Sequence, residues 1–225
     1  MSAVLTLAIA GRFRHDIVEA IARHARASEA GGRCNRWRLA WCYGTLVQSA
    51  EGGLDSRGRL DLGGLEEVKT DMALLRLETA EPGRARQPFV RRDRTGPWAF
   101  CHDGAVRHPE LLDPGNRVAE SSDPSERLFL HVLGSFKPED PAESLRAIHE
   151  ALPAEPEQSL VLMSPDVLVA SRWQAEAGEP GLWVGEGRMV RLVAPFRLEH
   201  FEQLHWTEIS NREVLAFTRF RHELE

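Results

Sequence analysis

Three kinds of side chain in this 225-residue sequence could do chemistry: thiols, a cluster of arginines, and a short His-Asp-Gly run. The thiols belong to Cys34, Cys42 and Cys101. A reactive cysteine needs a lowered pKa, but all three sit inside or beside stretches that read as strands and none is N-terminal. An odd count without disulfide-type spacing fits unbridged, mostly buried thiols in a reducing cytoplasm. The arginines are Arg84, Arg86, Arg91, Arg92 and Arg94, in what reads as a loop between two strands. Such a run can be a solvated surface loop. Joined by Arg36 and Arg38, it would instead make a basic mouth for a phosphorylated or carboxylated ligand, or for an acidic partner. Arg76 stands within the apolar run Met72 to Leu77, where a strand arginine can form a surface ion pair. In the run His102-Asp103-Gly104, Asp before Gly is a common hairpin turn. His102 and His108 lack zinc-type ligand spacing, so neither a metal nor another cofactor is expected.

Composition narrows the partners. The net charge of -6 and pI near 5.9 argue against general nucleic-acid binding, which usually needs a basic face. The apolar run Val4 to Ala10 is too short to span a bilayer and no cation precedes it, so it reads as a buried strand rather than a signal peptide. No later segment approaches transmembrane length, and a cytoplasmic location with no membrane partner is expected.

The elements that must position these residues follow from periodicity. After the first strand, Asp16 to Ala27 has the spacing of an amphipathic helix, ended by Gly31-Gly32. Strands are expected at Arg38 to Tyr43, Met72 to Leu77 and Trp98 to Cys101, the last ended by a turn at His102-Asp103-Gly104. Glu51 to Gly64 reads as loop. Asp123-Pro124-Ser125-Glu126 and Asp140-Pro141-Ala142-Glu143 each offer an N-cap carboxylate, a proline at the first helical position and a glutamate at the third. Their helices present Leu128, Phe129, Val132 and Leu133, then Leu145, Ile148 and Leu152. Short strands follow at Leu160 to Met163, Val167 to Ala170, Leu182 to Val184, Met189 to Val193, Trp206 to Ile209 and Val214 to Phe217. Strands at both ends with helices between them predict an α+β fold, a two-layered sheet core covered by helices, in one domain over residues 1–225.

In this order the segments resemble a family, the class II glutamine amidotransferases of the bacterial stand-alone type. Asn35-Arg36-Trp37-Arg38-Leu39-Ala40-Trp41 is similar to that family's Asp-Gly-Trp-Gly-Ile-Ala-Trp strand, and Ala73 to Thr79 to its His-Val-Arg-x-Ala-Thr strand. Gln87-Pro88-Phe89 stands where His-Pro-Phe would. Trp98 to Gly104 is similar to Phe-Ala-His-Asn-Gly, and Ser125 to Phe129 to the Thr-Asp-Ser-Glu helix start. The resemblance covers most of the chain and implies the four-layer αββα sandwich of N-terminal-nucleophile hydrolases.

It also implies where the chemistry has changed. The family's nucleophile is an N-terminal cysteine that uses its own α-amine as base; here Ser2 takes that place, exposed if Met1 is removed, or else is an ordinary second residue. The family's oxyanion donors, an Asn side chain and a Gly backbone N–H, become Asp103 and Gly104. Losing one such donor costs about 3 kcal/mol in other hydrolases. Arg76 matches the arginine that grips the substrate α-carboxylate, and His102 is retained. Asp123 lies near the family's amine-binding aspartate but also fits a plain N-cap. Arg36 and Arg38 replace glycines beside the pocket. These changes imply a family member that has lost glutaminase activity and serves as a binding or scaffolding subunit. Its partner would be a synthetase or second amidotransferase-like subunit, or a small anionic ligand. The alternative is an amidohydrolase that uses Ser2 on a non-glutamine or γ-glutamyl amide.

Overall fold

Strand side chains alternate between faces, so a chain rich in short strands must find cover for both sides of each sheet. A computed structural model describes residues 4–11, 34–79, 85–152, 157–174, 181–198, 201 and 203–219. The strands are β1 (Val4–Gly11), β2 (Arg36–Tyr43), β3 (Leu46–Gly52), β4 (Met72–Glu78), β5 (Phe89–Asp93), β6 (Gly96–Gly104), β7 (Glu157–Met163), β8 (Val167–Gln174), β9 (Trp183–Glu186), β10 (Val190–Ala194), β11 (His205–Glu208) and β12 (Glu213–Thr218). Two helices, α1 (Pro124–Ser135) and α2 (Pro141–Ala151), lie between β6 and β7. The strands form two antiparallel sheets, one ordered β11-β9-β10-β1-β4-β2-β3 and the other β12-β8-β7-β6-β5.

The sheets meet through small side chains. Ala8, Ala10, Ala40, Cys42, Met72 and Leu74 of the first face Ala99, Cys101, Val161, Met163 and Ala170 of the second. This alanine-rich layer permits close packing of the two faces. Helices α1 and α2 cover the other face of the second sheet, with Phe129 stacked on Phe100 at 5.1 Å and Leu128, Val132, Leu145 and Ile148 around them. The outer face of the first sheet carries Leu7, Ile9, Leu39, Leu75 and Leu77, packed against Leu60, Leu65, Leu198 and Leu204. The expected helix at Asp16 to Ala27 lies outside the described residues. No helix among the described residues is long and apolar enough to cross a membrane.

Both N-cap carboxylates behave as their sequences predict: Asp123 accepts from the Ser125 N–H at 2.8 Å, and Asp140 from the Glu143 N–H. Three strand expectations need correction. Leu46–Gly52 is a strand, reached from β2 through a two-residue turn whose Gly44 has φ 59, so the loop begins later than Glu51. The arginine segment is part strand, since Arg91 and Arg92 belong to β5. His102-Asp103-Gly104 does not end β6 in a turn. Neighbouring β7 continues alongside and pairs with all three residues, so their backbone groups are satisfied in extended form.

Candidate functional site

At one end of the layer between the sheets the apolar side chains give way to charge. Thr6 of β1 and Arg38 of β2 stand opposite Arg76 of β4, in register on either side. Two residues beyond Arg76 on the same face is Glu78. From the other sheet, Asp103 reaches across. The Arg76 side chain is fully buried, Glu78 is 6% exposed and Asp103 is 35% exposed, so the cluster opens to solvent past Asp103.

The guanidinium is already engaged. Arg76 Nη1 lies 2.8 Å from Asp103 Oδ1 and also donates toward Thr6 Oγ1 and the His102 carbonyl. Its Nε donates to Glu78 Oε2 at 3.1 Å. The Thr6 hydroxyl donates in turn to Asp103 Oδ2 at 2.8 Å, which closes a ring of three side chains from both sheets. Burial works to lower the Arg76 pKa, but the charge of Asp103, with that of Glu78, outweighs it and raises the value. The arginine therefore stays charged at every ordinary pH. One donor atom is left over: Nη2 is buried with no hydrogen-bonding partner among the described residues.

Beside this cluster, and meeting it at Glu78, lies a cleft of about 340 Å³, lined by Arg36, Trp37, Arg38, Glu51, Glu78 and Arg86 among others. Arg36 pairs with Glu78 at 2.6 Å, and Arg86 pairs with Glu51. Arg38 donates to the Arg86 carbonyl at 3.0 Å. The structure thus brings Arg36, Arg38, Arg76 and Arg86 together but separates Arg91, Arg92 and Arg94 from them. Arg91 donates to the Val118 carbonyl at 2.8 Å and lies 3.8 Å from Glu126, on the α1 side. Arg92 and Arg94 lie at the β5–β6 turn, at the far end of β6 from Asp103, a strand length of roughly 25 Å. The physical reason is that β5 runs as a strand away from the cleft. Arg84 and Ser2 lie outside the described residues.

The remaining site residues are used structurally. His102 turns its imidazole to the helix side, with Nδ1 3.0 Å from Ser125 Oγ, while its backbone N–H donates to Gln87 Oε1 at 2.7 Å. Asp123 caps α1 and accepts from the Ala85 N–H with its other oxygen, so both carboxylate oxygens serve backbone donors. Gly104, with φ 126, ends β6 opposite Gln158. The three thiols are buried, and burial raises all their pKa values, that of Cys42 to about 12. Sequence reasoning missed Thr6, Glu51 and Glu78 as members of the site. For Glu78 a signal existed, since alternation in β4 puts it on the same face as Arg76.

No protein-family profile and no curated protein sequence matches this chain. Solved structures do, and they define a class: the chain is class II glutamine amidotransferase-like in fold. It superimposes over 95% of its length on glutamine phosphoribosylpyrophosphate amidotransferase from B. subtilis, with a TM-score of 0.71 and 15% identity. It spans 47% of that enzyme, about half its length. A glutamine aminotransferase class-II domain protein from Silicibacter pomeroyi matches with a TM-score of 0.62 and 16% identity, over 94% of each chain. A predicted glutamine amidotransferase from Pseudomonas aeruginosa gives 0.58 and 13%, over 96% of this chain and 94% of its own.

Proposed function

We propose that this chain is a four-layer αββα amidotransferase-like domain that no longer hydrolyses glutamine and acts as a binding or scaffolding subunit. The observation that carries the reading is the Arg76–Asp103 ion pair at 2.8 Å. The resemblance assigns Arg76 to the substrate carboxylate and position 103 to the oxyanion. Joined to each other, these two groups serve neither task. An ionised Asp103 also offers no donor to a developing oxyanion and repels it, where one lost donor alone costs about 3 kcal/mol of transition-state stabilisation. The partner surface in this reading is the cleft of Arg36, Arg38 and Arg86, facing a synthetase or second amidotransferase-like subunit, or a small anion.

One observation favours the alternative amidohydrolase. Val4 pairs with Glu78, so the start of β1 leads to the charged cluster, and Ser2 precedes that strand by two residues. This second reading needs the Ser2 amine as base. Intact mass that retained Met1 would eliminate it.

The deciding assay for the main reading is ammonia release from millimolar glutamine. No release above background is expected, and turnover near about one per second, within the ordinary range of enzymes, would overturn it.

A further inference from the structure

The unequal exposure of the ion pair invites a closer reading of Asp103. Its side chain is 35% exposed, whereas its partner Arg76 is fully buried. Asp103 is therefore the group that stands between the arginine and solvent. The arginine is unevenly satisfied behind it: Nη1 is shared among Thr6, His102 and Asp103, while Nη2 has no hydrogen-bonding partner among the described residues. The guanidinium thus already holds two carboxylate oxygens, Asp103 Oδ1 on Nη1 and Glu78 Oε2 on Nε, and its spare donor is buried away from solvent.

We propose that Asp103 is the specificity-determining residue of this site, an internal carboxylate that occupies Arg76 and denies it to carboxylates from solution. The inference rests on the reading above for the identity of the site and extends it to what the site excludes. An external carboxylate cannot join Asp103 at the arginine, because two acids would then compete for one cation beside Glu78, which already holds Nε. Taking away the Asp103 carboxylate reverses this. Replacement by alanine deletes a group the size of formate, at a position open to solvent, and leaves behind it Arg76 Nη1 and the Thr6 hydroxyl, which had bonded that group. The vacated place is complementary in charge, size and donors to a small monocarboxylate.

The test is excision and replacement. Melting temperatures of the wild-type chain, Asp103→Ala and Asp103→Ala/Arg76→Gln are followed against sodium formate, with sodium chloride matched for ionic strength and formamide as the neutral analogue. Asp103→Ala should melt below wild type and recover saturably with formate alone, by about 3–6 °C at ten times its Kd in a chain of this length. The double variant and the wild type should show no formate-specific gain. If Asp103→Ala does not fold, Asp103→Ser carries the same comparison with a smaller excision. A chloride response equal to formate, or no formate response in Asp103→Ala (or in Asp103→Ser where that variant replaces it), would overturn the proposal. So would a formate-specific gain in the wild type. Ammonia release by wild type would count against the proposed loss of glutaminase activity, not against this exclusion, because the two readouts are separate.

Discussion

At the scale of single residues, the site is governed by how one arginine is neutralised. Arg76 is fully buried and is answered by Asp103 and Glu78, while Arg36 also leans on Glu78. Breaking a buried pair from one side strands the remaining charge. Arg76→Gln should therefore cost about 3–5 kcal/mol, because among the described residues Glu78 keeps only its ion pair with Arg36 and Asp103 loses its cation. Urea unfolding would measure it, and a loss below about 1 kcal/mol, the range of surface pairs, would mean that the cluster is solvated. Much of this arrangement was beyond the reach of sequence. Arg76 could be read as a carboxylate-binding arginine, but the carboxylates it binds are the chain's own. Thr6 and Asp103 lie 70 and 27 positions from it and meet only through the registers β1–β4 and the face-to-face packing of the two sheets. Asp103 read as a turn residue because Asp-Gly favours turns, a local preference that the β7 ladder overrides.

At the scale of elements, helices were the most legible because their signals are local. The Asp-Pro-x-Glu openings predict both starts, and the buried faces of α1 and α2 are those the periodicity names, with Leu152 only partly covered. Glu126 departs from the capping-box expectation. It accepts instead from the N–H groups of Glu120 and Ser121, and so anchors the loop before the helix. Strands β3 and β5 were hidden, β3 by its half-exposed edge position and β5 by its arginines, although each is joined to its neighbour by a two-residue turn. Asp123 ties two elements together, capping α1 and holding Ala85. Asp123→Ala should cost about 1–2 kcal/mol by chemical denaturation, the upper range of a lost cap. A change within error would show that neither bond stabilises the fold. Helix α2 adds a pH dependence. Burial, then repulsion from His102, lowers the His149 pKa to about 4, and its Nε2 lies 2.8 Å from Ser171 Oγ. Below pH 6.5 the unfolded chain takes a proton that the native imidazole refuses. Stability from this group therefore falls as pH drops from about 6.5 to 4, by up to roughly 3 kcal/mol. His149→Gln can keep a bond to Ser171 and should flatten the slope across that window by about one proton. An unchanged slope would mean His149 already protonates in the folded chain.

At the scale of the whole molecule, the two-sheet arrangement was readable from element order, whereas the charge map was not. Five nearby arginines in sequence suggested one basic rim, but β5 carries Arg91 and Arg92 away from the cleft and Arg94 follows at its turn. Among the described residues, what remains at the cleft is Arg36, Arg38 and Arg86 against Glu51 and Glu78, three cations and two carboxylates. That leaves a local charge of +1 on a chain whose net charge is -6. A surplus this small favours a partner that brings one or two carboxylates, not a densely charged polymer. Long-range attraction is also weak, since the rest of the surface repels an acidic ligand and salt screens both beyond roughly 10 Å at 0.1 M. The half-buried Arg38 and the exposed Arg86 should then govern association, and Arg76 should contribute nothing while Asp103 holds it. The measurement is titration of a short glutamate-containing peptide at 0.05 M and 0.3 M salt, with wild type and Arg38→Ser/Arg86→Ser. Affinity should weaken severalfold with salt for wild type and be lost in the double variant, with most of the change in association rate. Binding that ignores salt, or that survives removal of both arginines, would place the partner surface elsewhere on the molecule.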